Sequence, residues 1–176
     1  MSIGLKIYKR LSGVLLLFFM FTVTFHQGYS KELVSNEIIP LKMKNEIKVV
    51  YQINRDNWRN GVGSGLLYIK KLLGTYNLMS IDVSKREVKA VLHGKAGYWL
   101  LNDKAYNEFN GVNTGNPNLN LVKELAKNGV SVELCSQTMK HFGWENKDLI
   151  PEVKIVAGAY ARIIDLQLQG YAYIRF

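Results

Sequence analysis

The chain of 176 residues has a single cysteine, Cys135, so no disulfide can form within it. That excludes the small stapled folds of many exported proteins. The two histidines beyond the N-terminal segment, His93 and His141, stand at no ligand-like spacing from each other or from Cys135. With no such spacing there is no zinc-type signature, and no metal or other cofactor is expected. Gly61-Val62-Gly63-Ser64-Gly65 lacks the phosphate-loop lysine and departs from the dinucleotide spacing, and the segment is expected to be a flexible helix entry. No Gly-x-Ser-x-Gly elbow and no carboxylate pair is present. Basic residues are scattered and form no run interleaved with aromatics, so nothing points to nucleic acid.

What is present begins at the N-terminus. Lys6, Lys9 and Arg10 precede an apolar run from Leu11 to Phe25, and Gly28-Tyr29-Ser30 offers small residues before Lys31. This is the layout of a secretory signal peptide over residues 1–30. The run falls short of the roughly 18 to 20 apolar residues of a spanning helix, so the expected destination is the periplasm or the exterior. An uncleaved signal is the one membrane attachment the sequence offers. Three of the nine surplus positive charges lie in that signal, and the remaining surplus of about six suits small anionic partners. Residues 31–45 read as a polar linker and 46–176 as one domain, large enough to bury a core without staples.

Within that domain, apolar β-branched runs alternate with amphipathic stretches. Strands are expected at Glu46–Ile53, Glu87–His93, Val130–Leu134, Val153–Val156 and Tyr171–Arg175. Helices are expected from Val62 to Tyr76, in a short piece from Tyr98, from about Asn118 to Gly129, over Ser136–Phe142 and over Ala159–Gln169. Alternation of this kind predicts an α/β fold, a parallel sheet with helices on both faces. The last helix carries Tyr160, Ile163, Ile164, Leu166 and Leu168, more apolar surface than a one-sided helix needs. It is expected either to be buried against both the sheet and neighbouring loops or to form a subunit interface.

Cys135 closes the third strand and opens a helix, at the carboxyl edge where open α/β sheets build their sites. Orphan N–H groups and the helix dipole favour a thiolate there. The alternative is a buried cysteine serving as a small hydrophobe. His93 closes the second strand at the same edge, placed to orient or deprotonate a thiol. Gly94 permits a sharp turn after it. Arg55 and Arg59 leave the first strand at that edge and are candidates to bind a small anion, with Gly94 and Ser136 as further ligand-binding positions.

Four stretches in order resemble the DsrE/DsrF-like family of small sulfur-relay proteins. They are Val91-Leu92-His93-Gly94, Asn116-Pro117-Asn118-Leu119 leading to Lys123-Glu124-Leu125, Val132-Glu133-Leu134-Cys135-Ser136-Gln137-Thr138-Met139 with Gly143-Trp144, and Asp165 to Ile174. The resemblance implies a three-layer αβα sandwich around a mainly parallel five-stranded sheet, assembling as a homotrimer or hexamer. It implies that Cys135 accepts sulfur as a persulfide from a small sulfur-containing anion and yields it to an acceptor thiol, as a sulfur carrier or sulfurtransferase. The family's frequent Arg-Arg-Gly after the cysteine helix is here His141-Phe142-Gly143. The other reading is a non-catalytic oligomeric module of the same fold that binds a small ligand or serves in assembly.

Overall fold

The computed structural model describes residues 38–176; the expected signal peptide lies outside them. Residues 41–46 form neither helix nor strand. β1 (Ile47–Ile53) is followed by a small hairpin, β2 (Trp58–Arg59) and β3 (Val62–Gly63), and then by α1 (Ser64–Leu78). Next come β4 (Arg86–Leu92), a 3-10 segment over Gly94–Leu100, α2 (Asp103–Asn110) and α3 (Leu119–Lys127). The chain ends with β5 (Val130–Cys135), α4 (Ser136–Phe142), β6 (Lys154–Val156), α5 (Ala159–Leu168) and β7 (Ala172–Arg175).

The main sheet has five strands in the order β6-β5-β4-β1-β7, every neighbouring pair parallel. From β1 through β4 and β5 to β6 the chain steps in one direction. Right-handed crossovers therefore put the intervening helices on one face. The step from β6 back to β7 runs the other way, so α5 lies on the opposite face, the one helix there among the described residues. Side chains alternate accordingly. Val49, Tyr51, Ile53, Val88, Ala90, Leu92, Val130, Val132 and Leu134 pack with α1 and α3 in the larger core. Val50, Val91 and Cys135 pack with Ala159, Ile163 and Leu166 of α5 in the smaller one. Ile53, Leu66, Ile69, Leu92 and Leu134 are fully buried, each contributing about 1.5–3 kcal/mol by leaving water.

Several expectations need correction. The glycine-rich segment is not a flexible entry: Val62–Gly63 pairs antiparallel with Trp58–Arg59, and Gly63 N–H donates to Asn118 Oδ1 at 2.6 Å. Gly63 lies so close to the Trp99 ring that a Cβ would fall 2.4 Å from it. A helix absent from the sequence reading, α2, is capped by Asn102, whose Oδ1 accepts from Ala105 N–H at 2.9 Å. Finally, α5 is not buried on both sides. Its stripe of Tyr160, Ile164 and Leu168 is 67%, 58% and 85% exposed, because among the described residues no second helix shares that face. Among the described residues no helix is long and apolar enough to cross a membrane.

Candidate functional site

The register of β4 and β5 aligns Leu92 with Leu134, so His93 and Cys135 follow side by side at the carboxyl ends of adjacent strands. Both belong to the face covered by α5. Cys135 is 5% exposed and His93 9%. Cys135 precedes α4 in the cap position with φ −68° and ψ 124°, and pairs with Val156 of β6. Its thiol is free.

The imidazole is held from the other side. Gln52, on the same face of β1, places its amide Nε2 2.8 Å from His93 Nε2. The Gln52 carbonyl in turn accepts from the Tyr173 hydroxyl on β7. Tyr160 of α5 meets the imidazole edge-on, with centroids 5.2 Å apart and planes at 67°. Burial lowers the His93 pKa below its ordinary value, and the positive charge of Arg175 lowers it further. The ring is therefore neutral near pH 7. Asn54, one residue beyond β1, keeps a buried side-chain carbonyl oxygen with no partner among the described residues.

The remaining sequence candidates fall in different places. Gly94 turns the chain at φ +57°, a left-handed conformation that favours glycine, and donates its N–H to Thr138 Oγ1 of α4 at 3.0 Å. That bond ties the turn after β4 to the helix after Cys135. Ser136 Oγ donates to the Ala157 carbonyl at 2.8 Å, fastening the start of α4 to the loop after β6. Arg55 is exposed on the loop beyond β1. Arg59 donates to the Tyr68 hydroxyl and lies over the Tyr68 ring at 5.7 Å. Tyr68 stacks on Phe176, which stacks on Tyr51 of the larger core. Arg59 thus sits on the α1 side of the sheet, opposite Cys135. The structure brings together Cys135, His93, Gly94 and Ser136, and leaves Arg59 apart.

An open cleft of about 470 Å3 runs between β6 and α5, lined by Glu133, Lys154, Val156, Ala157 and Arg162 among others. Glu133 lies two residues before Cys135 on the same face, with its side chain 2% exposed. Its carboxylate accepts from Arg162 Nε at 2.8 Å, from Arg162 Nη2 at 3.1 Å and from Ser131 Oγ at 2.9 Å. The bidentate bond to Glu133 raises the Arg162 pKa. Two charges that would be costly to bury alone satisfy each other and pin α5 over β5. Among the described residues no group of three or more His, Cys, Asp or Glu is placed to hold a metal.

The profile of the DsrE/DsrF-like family matches residues 62–176, which include His93, Cys135 and β7. The chain belongs to the DsrE/DsrF-like family. Membership associates it with sulfur relay at the level of the family. Among solved structures it resembles MTH1491 of Methanobacterium thermoautotrophicum, a protein of unknown function. The two are 27% identical with a TM-score of 0.56, over 74% of this chain and 99% of that one. It also shares its fold with the ychN protein of E. coli, at 16% identity and a TM-score of 0.51, over 74% of this chain and 100% of the other. The three-layer architecture is thus that of DsrE-like proteins. None of the curated proteins matches.

Sequence reasoning missed Gln52, Asn54, Tyr160 and Tyr173. Gln52 left a signal: it is the one uncharged polar residue inside the apolar run Val49-Val50-Tyr51-Gln52-Ile53.

Proposed function

We propose that this protein is an exported sulfur carrier in which Cys135 receives sulfane sulfur. The observation that carries the reading is the placement of Cys135 beside His93 on one face of the sheet's carboxyl edge, in a chain of the DsrE/DsrF-like family. In the step proposed, the Cys135 thiolate attacks the terminal sulfur of a small persulfide or polysulfide donor. A new S–S bond forms at Sγ, the donor's S–S bond breaks, and its electron pair leaves on the departing thiolate. The reverse exchange with an acceptor thiol returns Cys135 to its starting state. No external oxidant enters either step. The basic surplus of the chain favours anionic donors. The exposed stripe of α5, with Tyr173 beside it on β7, supports assembly of several copies through this face. The N-terminal run supports export.

The test is intact mass after exposure to sodium tetrasulfide and removal of excess donor. The expected gain is the mass of one sulfur atom in the native protein and none in Cys135→Ser. No gain, while iodoacetamide alkylates Cys135 readily at pH 7, refutes the carrier. The burial of Cys135 favours a second reading, a binding module in which the thiol is packing. That reading expects the native thiol to resist iodoacetamide and Cys135→Ser to leave the protein's cellular role intact.

A further inference from the structure

The nitrogen of His93 that a catalytic base would use, or anchor, is already occupied by an amide. Gln52 Nε2 lies 2.8 Å from His93 Nε2, and both side chains are buried. An amide nitrogen only donates, so the ring nitrogen facing it accepts. A neutral imidazole has one proton, and it is then on Nδ1. From behind, the Tyr173 hydroxyl meets Gln52 Oε1, and a phenol, a better donor than acceptor, favours this orientation of the amide over the flipped one.

We infer that Gln52, anchored by Tyr173, is a positioning residue that holds His93 as the neutral tautomer protonated at Nδ1 and denies it the role of base. The groups that face the ring agree. They are Gln52 on β1 with Tyr173 behind it, Arg175 on β7, Tyr160 on α5 and Cys135 at the neighbouring strand end. None is a carboxylate, and the formal charge among them is positive. In Ser-His-Asp triads the second ring nitrogen donates to a carboxylate, and in Cys-His-Asn sites to an amide oxygen, either of which stabilises the imidazolium. Here it accepts from an amide instead, beside a guanidinium, and an imidazolium has nothing to stabilise it. On the carrier reading, on which this consequence rests, His93 offers Nδ1–H as a donor toward the negative charge of a thiolate or persulfide and takes no proton from Cys135. A donor that needs no proton transfer is compatible with a thiol that must cycle between thiolate and persulfide.

The experiment is a long-range proton–nitrogen correlation spectrum of the full chain labelled with 15N-histidine, recorded at pH 7 without any sulfur donor. The expected His93 signals are a protonated Nδ1 and an unprotonated Nε2. In Gln52→Glu the carboxylate accepts from the ring, so the proton moves to Nε2 and the His93 pKa rises. Should that variant not fold, Tyr173→Phe lies on an exposed edge strand and frees the amide to turn. Its His93 signals are expected to shift toward a mixture of tautomers. Wild-type His93 protonated at Nε2, or a Tyr173→Phe spectrum identical to wild type, overturns the inference. A ring protonated at Nδ1 in a protein that takes no sulfur at Cys135 supports the positioning role and refutes the carrier alone.

Discussion

Replacing Arg162 by leucine removes the partner of a carboxylate that is almost wholly buried. Glu133 keeps the Ser131 hydroxyl but loses two charge-assisted bonds, at 2.8 and 3.1 Å. Leaving one member of a buried ion pair uncompensated costs about 3–5 kcal/mol. The Arg162 side chain is partly open to the cleft, and water can enter to solvate the carboxylate, which places the expected loss near the lower end, about 3 kcal/mol. With a urea m-value of about 2 kcal/mol/M, the unfolding midpoint at pH 7 should fall by roughly 1.5 M. Glu133→Leu with Arg162→Leu removes both charges, and the double variant should recover most of the loss, since paired removal is close to neutral. Equilibrium unfolding followed by tryptophan fluorescence gives all the corners of the cycle. A single variant that loses less than about 1 kcal/mol, or a double variant less stable than Arg162→Leu, refutes the claim that this pair holds α5 over the site.

Other outcomes follow from the same geometry. His93 has a lowered folded pKa, so the unfolded chain binds the extra proton first as pH falls. Its contribution is complete above the ordinary value of about 6.5 and is lost as pH drops toward the folded value. His93→Gln should therefore shrink the difference in urea midpoint between pH 7 and pH 5, and an unchanged difference contradicts the burial argument. The Tyr171 pKa is pushed up to about 12, first by burial and then by its bond to Glu87. A raised folded value stabilises below the ordinary pKa of about 10 and is lost as pH rises through the folded one. Burial pushes Tyr51 up to about 12 as well, so Tyr171→Phe should reduce the late step of an alkaline absorbance titration by one tyrosine, and a titration unchanged by the substitution refutes the assignment. Gly63→Ala drives a methyl into the Trp99 ring, for about 1–3 kcal/mol of lost stability. A melting temperature equal to wild type would show that Trp99 yields without cost.

Much of the fold was legible because single segments encode it. The apolar runs of β1, β4 and β5 stand within a residue or two of their observed limits, and Leu121, Val122 and Leu125 of α3 face inward as their spacing predicts. Helix α2 was not legible, because it is only eight residues long and its apolar face is no more than Ala105, Tyr106 and Phe109. The site was half legible. Cys135 and His93 announce themselves as residues at strand ends, and parallel strands carry their ends to one edge. Their neighbours do not, because strand order is not written in any local pattern. Tyr173 reaches Gln52 from 121 residues away, and only the return of β7 beside β1 makes that contact. Arg59 shows the opposite error: it leaves β1 at the right edge, but the β2–β3 hairpin folds it onto Tyr68 and the other face.

If the fold equips Cys135 to accept sulfur, the folded and unfolded chain differ when compared in one assay. Protein in buffer and protein in concentrated urea are treated with the same alkyl persulfide at pH 7, quenched with iodoacetamide, and digested, and the Cys135 peptide is weighed. The native chain is expected to gain one sulfur atom at Cys135 faster than the unfolded chain does. A native chain that stays unmodified while the unfolded one reacts would contradict that expectation, and would leave Cys135 as part of the packing beneath α5.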